Sequence, residues 1–92
     1  MITKNVIDIT KMFFDCSNIV NIELSSFDTK NVHHMEDMFF NCKSLTNINL
    51  SSFDIENAMI GYFFHGCIKL KNSPYFYYNK NDIKILHQLT KI

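Results

Sequence analysis

The chain has 92 residues, enough for one small domain, which buries only about two-thirds of the surface its unfolded form exposes. Apolar residues make up 47% and aromatic residues 14%, and Gly (2) and Pro (1) are scarce, which excludes disordered and fibrous classes. Nine lysines balance nine acidic residues with the signs interspersed, so no basic block exists to neutralise a row of phosphates, and nucleic acid is not an expected partner.

From the start of the chain, Lys4, Asn5, Asp8 and Lys11 interrupt what would have to be the apolar run of a signal peptide. No lipid-attachment cysteine stands near Met1, and no stretch reaches the roughly 18 apolar residues of a membrane span. The dominant pattern is internal repetition. Thr3-Lys4-Asn5-Val6 returns as Thr29-Lys30-Asn31-Val32, and Met12-Phe13-Phe14-Asp15-Cys16 returns as Met38-Phe39-Phe40-Asn41-Cys42. Leu24-Ser25-Ser26-Phe27-Asp28 likewise returns as Leu50-Ser51-Ser52-Phe53-Asp54, each 26 residues on. A third Phe63-Phe64-His65-Gly66-Cys67 stretch comes 25 residues after the second, so one residue has been lost between Ala58 and Phe63.

Each unit carries two apolar periods. Val6, Ile9, Met12, Phe13 and Cys16 follow helical spacing, as do Val32, Met35, Met38, Phe39 and Cys42. After each cysteine the pattern becomes Ile19-x-x-Ile22-x-Leu24 and Leu45-x-x-Ile48-x-Leu50, whose last positions alternate as a strand does. Each repeat therefore reads helix, then short strand, with Asn5, Asn31 and Asn57 as N-caps and with Ser25, Ser51, Asp28 and Asp54 satisfying the turn backbone between elements. Gly61 makes the third helix short or irregular. A unit of this size cannot bury its own apolar face, so copies must stack, joining strands near 19–24, 45–50 and 70–75 into a parallel sheet. The cysteines form one buried column, and identical residues in a column point the same way, so free thiols are expected.

Aligned on the cysteines, Pro74 falls opposite Asn49 and ends the sheet, because proline cannot donate to a ladder. Asn81 or Asp82 caps a last helix whose Ile83, Leu86, Leu89 and Ile92 face the final layer while Lys84 and Lys91 stay outside. The expected fold is α/β: a short leucine-rich-repeat-like solenoid of about three parallel strands backed by helices, with a C-terminal capping helix. Residues 1–72 hold about two and a half repeats, and 73–92 form the cap.

The pattern Leu24-Ser25-Ser26-Phe27-Asp28-Thr29, Asn31-Val32, then Met38-Phe39, Cys42, Leu45, Ile48 and Leu50 resembles the BspA-like leucine-rich-repeat surface proteins, over roughly residues 3–72. The resemblance implies a bacterial surface-exposed or secreted protein, of a kind often lipid-anchored and in some cases adhesive to host proteins.

On the open face of the strands the alignment stacks Asn21, Asn47 and Asn72 in one column and Glu23, Asn49 and Pro74 in the next. Carboxamides both donate and accept, so Asn21, Glu23, Asn47, Asn49 and Asn72 are the candidate contact residues for a protein or glycan ligand. Adjacent His33 and His34 point apart, and His65 beside Cys67 lacks paired-ligand spacing, so neither a metal nor any cofactor is expected. No phosphate loop or nucleophile motif occurs, and nearly every reactive residue has a copy, which argues against an enzyme. The reading is a non-enzymatic binding scaffold. The alternatives are an intracellular interaction or structural repeat protein, or a truncated remnant of a longer surface protein. The first strand is expected to leave an open sheet edge through which copies self-associate.

Overall fold

Three short parallel strands set the frame in the computed structural model, which describes residues 6–92. β1 (Asn21–Ile22), β2 (Asn47–Asn49) and β3 (Phe76–Tyr77) lie side by side in chain order. Asn21 pairs with Asn47 and Ile22 with Ile48, so identical residues meet across the first pair. The sheet and a single C-terminal helix give the expected α/β class, with strands shorter than the sequence pattern marks.

The third strand departs from the cysteine alignment. Leu70 keeps its place in the core, fully buried like Leu45, but Ile48 pairs with Phe76 and Asn49 with Tyr77. Three extra residues therefore lie between Leu70 and the strand. They form a turn closed by Ser73 N–H on the Leu70 carbonyl, and the Ser73 hydroxyl donates to the Thr46 carbonyl at 2.6 Å. Pro74 precedes the strand instead of ending it, where its missing N–H costs no ladder bond.

The segments read as helices behind the sheet are chains of β-turns. Met12 N–H bonds to the Ile9 carbonyl and Cys16 N–H to Phe13, and the pattern recurs as Met38 to Met35, Cys42 to Phe39, Phe63 to Ile60 and Cys67 to Phe64. In every one of these turns the third residue is left-handed: Lys11 (φ 59°), Asp15 (60°), Asp37 (57°), Asn41 (59°), Tyr62 (55°) and Gly66 (81°). Type II turns require this conformation, and Asp, Asn and Gly tolerate it best. A Cβ on Gly66 would collide with the Asn41 side chain, so this position needs glycine for space as well as for φ. Closing bonds between residues three apart brings Met35, Met38, Phe39 and Cys42 to one side, as a helix would, so the apolar spacing suits either structure. Asn31 and Asn57 are not N-caps; each is the third residue of a turn, closed by Val32 N–H on Thr29 and by Ala58 N–H on Ile55. Asn5 lies outside the described residues.

Alternate N–H groups of a turn chain remain free to bond sideways. Those of Ile9, Lys11, Phe13 and Asp15 donate to the carbonyls of His34, Glu36, Met38 and Phe40, and those of Met35, Asp37, Phe39 and Asn41 donate to Met59, Gly61, Phe63 and His65, at 2.7–3.2 Å. Side chains at matching positions meet across the same boundaries. Phe13 stacks on Phe39 with centroids 5.7 Å apart, and Phe39 stacks on Phe64 at 6.1 Å. The Cys42 thiol donates to the Phe13 carbonyl and the Cys67 thiol to the Phe39 carbonyl, at 3.2 and 3.0 Å, and all three cysteines are free.

Asp82 is the N-cap of α1 (Ile83–Leu89), accepting from the N–H groups of Lys84 and Ile85. The inward face only partly matches the one the spacing suggests: Leu89 and, beyond the helix, Ile92 pack on the core as expected, but the rest of the face is rotated. Ile85 and Gln88 are buried, whereas Ile83 is 81% exposed and Leu86 is exposed as well. Lys84 does not stay outside: its ammonium donates to the carbonyls of Ile55, Glu56 and Ala58 at 3.1, 2.9 and 2.7 Å. These charge-assisted bonds tie the helix to the segment ahead of the third turn chain.

Candidate functional site

Strand alternation divides the sheet residues between core and open face. Ile22, Ile48 and the half-buried Phe76 point inward, leaving Asn21, Asn47 and Tyr75 in one outward column and Glu23, Asn49 and Tyr77 in the next. These six side chains, over the backbone of Ile22 and Ile48, line a shallow hollow of about 200 Å³. A second hollow of about 350 Å³ continues from Glu23 and Asn49 over Ser25, Ser51 and Ser52.

Of the five residues the sequence pattern singles out, Asn21, Glu23, Asn47 and Asn49 lie together here. Asn72 does not: it is an exposed turn residue in the stretch that the extra residues lengthen, and Tyr75 takes its column. Tyr77 takes the place assigned to Pro74. The tyrosines are 57% and 55% exposed, so the face ends in two aromatic side chains. Their signal was present in the alternation Tyr75-Phe76-Tyr77-Tyr78, outward and inward in turn, had the register been taken from the strand instead of from Cys67.

Local bonds orient the polar groups. The Glu23 carboxylate accepts from Ser25 N–H at 2.7 Å, and the Asn49 side-chain oxygen accepts from Ser51 N–H at 2.9 Å and from the Ser51 hydroxyl. The Thr46 hydroxyl donates to the Asn47 side-chain oxygen at 2.8 Å. Both asparagines thus spend the amide oxygen inside the protein and keep the NH₂ as the donor toward a ligand. The bonds from Ser25 hold the Glu23 carboxyl below its ordinary range, so it is ionised at neutral pH. Asp28 and Asp54 serve the turns as expected, accepting from Lys30 and Glu56 N–H.

The histidines do other work. His34 Nδ1 lies 3.2 Å from the Glu36 carboxylate, and His65 stacks on Phe40 at 4.8 Å. Among the described residues, no three His, Cys, Asp or Glu side chains converge as a metal site. Contact with the Cys42 thiol, then burial, pushes the Cys67 thiol up, and burial pushes Cys16 up, so neither is a ready nucleophile.

The family model described as "Mycoplasma protein of unknown function, DUF285" matches residues 2–90. The chain belongs to this family. The match takes in the whole sheet, all three turn chains and α1 of this DUF285 chain. No curated protein and no solved structure matches the chain significantly.

Proposed function

We propose that this DUF285 chain is a short leucine-rich-repeat-like solenoid that acts as a binding scaffold, not an enzyme, and that it holds a protein or glycan ligand on the open face of its sheet. The observation that carries the reading is the hollow where two asparagine NH₂ groups and an ionised Glu23 stand beside two half-exposed tyrosines. Aromatic faces supply contact area at low entropic cost, and the carboxamides supply directional bonds. The repeat spacing and the resemblance to BspA-like surface proteins favour an extracellular partner. With three short strands the footprint is small, so a single chain binds weakly and gains from multivalency.

The test is a titration of the chain against immobilised extracellular-matrix proteins and neutral oligosaccharides, followed by amide chemical shifts. Binding should perturb Asn47, Asn49 and Tyr77, and Tyr77→Ala should weaken it by about tenfold or more, the loss typical of an aromatic anchor. Asn49→Lys should weaken it too. Binding that both substitutions leave intact would place the contact surface elsewhere.

A further inference from the structure

The bonds that join the turn chains all run one way. Each chain gives its alternate N–H groups to the next chain and receives on its carbonyls from the one before, at both internal boundaries. The first turn chain consequently presents unused acceptors upstream: among the described residues, the carbonyls of Thr10, Met12 and Phe14, which match Glu36, Met38 and Phe40, accept no bond. The apolar floor at this end is equally unfinished. Val6, Met12, Phe13, Cys16 and Ile19 are half-buried, whereas their counterparts Val32, Met38, Phe39, Cys42 and Leu45 are no more than 2% exposed. Phe14 is 40% exposed on one face although its other face stacks on Phe40 at 4.9 Å.

We infer that the upstream end is a docking face for one further unit built like residues 32–45, placed ahead of residue 6 and giving its alternate backbone N–H groups to the carbonyls of Thr10, Met12 and Phe14. The boundary between the first and second turn chains, repeated between the second and third, is the template for that contact. The Cys16 thiol then donates to a carbonyl of the docked unit, as Cys42 and Cys67 donate to Phe13 and Phe39. A second copy of this chain does not fit. First turn chain against first turn chain sets the carbonyls of Thr10, Met12 and Phe14 against their own copies, and unmatched buried acceptors are costly. The downstream end, which carries donors, lies under the C-terminal segment: Ile85 of α1 is buried, and Leu89 and the following Ile92 pack on the core. The expected sheet-edge self-association is therefore replaced by a directional contact with a different partner. This inference goes beyond ligand binding on the strand face and shares with it only the stacking of like units.

The experiment lengthens the full chain by one unit, as residues 1–31 followed by residues 6–92, with Cys16→Ser in the leading copy. The rate at which the inner Cys16 reacts with a thiol reagent should fall by about tenfold or more relative to the natural chain, because a covered thiol reacts only through local opening. The melting temperature should rise with it. An inner Cys16 as reactive as before, with no rise in melting temperature, overturns the proposal. A second version inserts residues 32–57, carrying Cys42→Ser, between Asn5 and Val6, and failure of both versions to fold cooperatively counts against the docking face. In a parallel arm the natural chain should sediment as a monomer as its concentration rises; a dimer that shields Cys16 also overturns the proposal. Strand-face binding is read by the separate titration, so either idea can fail without the other.

Discussion

At its downstream end the core is closed by α1: Ile85 is buried, Leu89 and Ile92 pack against the cluster, and Phe64, Cys67 and Leu70 are fully covered. At its upstream end the matching residues Phe13, Cys16 and Ile19 are half-buried and a row of carbonyls accepts nothing among the described residues. The two ends share the apolar positions Ile9 and Ile60, Phe13 and Phe64, and Cys16 and Cys67, so at these positions the difference lies in what covers them. It shows that the turn-chain design carries no closure of its own, since each turn chain gives its alternate main-chain N–H groups to the next and leaves the first with unused carbonyls. The helix supplies closure with apolar side chains and one lysine. Even so, the fit leaves a cleft of about 440 Å³ beside Gly61, Lys84 and Gln88, and the buried Gln88 side-chain oxygen has no partner among the described residues.

The largest expected effect tests that difference directly. Phe13, Phe39 and Phe64 occupy one column, stacked in sequence. Phe39→Ala should cost about 3–5 kcal/mol in unfolding free energy, the usual range for emptying a buried phenylalanine site, and Phe64→Ala should cost about as much if α1 seals the end. Phe13→Ala should cost about half, because solvent already reaches the ring and part of its burial is never gained. Urea denaturation of the three variants measures the series. A Phe64 value close to that of Phe13 would mean that α1 does not close its end.

How much of this was legible before the structure depends on which physical constraint wrote the pattern. The pairing of Ile22 with Ile48 could be read because a parallel ladder preserves the repeat spacing wherever no residue is gained or lost. Apolar spacing predicts helices where the turn chains lie, because it reports which side faces the core and not how the backbone closes. The discriminating signal was Asp15, Asn41 and Gly66 standing just ahead of each cysteine, a column of the residue types that accept a left-handed backbone. The third strand was misplaced because Leu70 fits the alignment and the extra residues follow it, so the cysteine register holds until the point where it fails. The outward columns could be read in the first two strands and not in the third for this reason: Asn72 lies outside them, and Tyr75 and Tyr77 complete them. On α1 the cap at Asp82 could be read locally. Its buried face could not, because that depends on the angle at which the helix crosses the core.

A smaller effect should follow from loosening the downstream closure. Lys84→Met keeps the apolar stem and removes the ammonium from three carbonyls, of which that of Ile55 keeps its bond from Ala58 N–H. The loss should be about 1–3 kcal/mol, since water replaces part of a half-exposed, charge-assisted contact. Thiol labelling sharpens the comparison. In the natural chain Cys16 should react first and Cys67 hardly at all, and in the Lys84→Met variant the gap between them should narrow as the cap frays. If Lys84→Met lowers stability without changing the Cys67 rate, the lysine tethers the 55–58 segment but does not govern coverage of the core.

The smallest effect concerns acid, and it too separates the ends. Both carboxylates held below their ordinary range belong to the first unit: Asp8, through bonds from Thr10, and Glu23, through bonds from Ser25. At the matching positions the later units carry His34 and Met59, and Asn49 and Tyr77, which have no acid group to protonate. A carboxyl whose folded pKa is depressed stabilises the fold at any pH above its unfolded value and loses that contribution as pH falls through the folded value. Coming down from neutral, stability should therefore hold until about the ordinary values of 4.5 for Glu and 3.8 for Asp and then decline. Both groups are exposed, so the decline from this source is slight. Amide exchange at pH 7 and pH 3 should show it first around Thr10 and Ser25, with the layers near α1 unaffected. Glu23→Gln keeps an acceptor for Ser25 and removes the proton uptake, so it should lower stability slightly at neutral pH and flatten the acid response at Ser25. Equal acid loosening at both ends would show that the depressed carboxylates do not set the response, and that general protonation of the surface does.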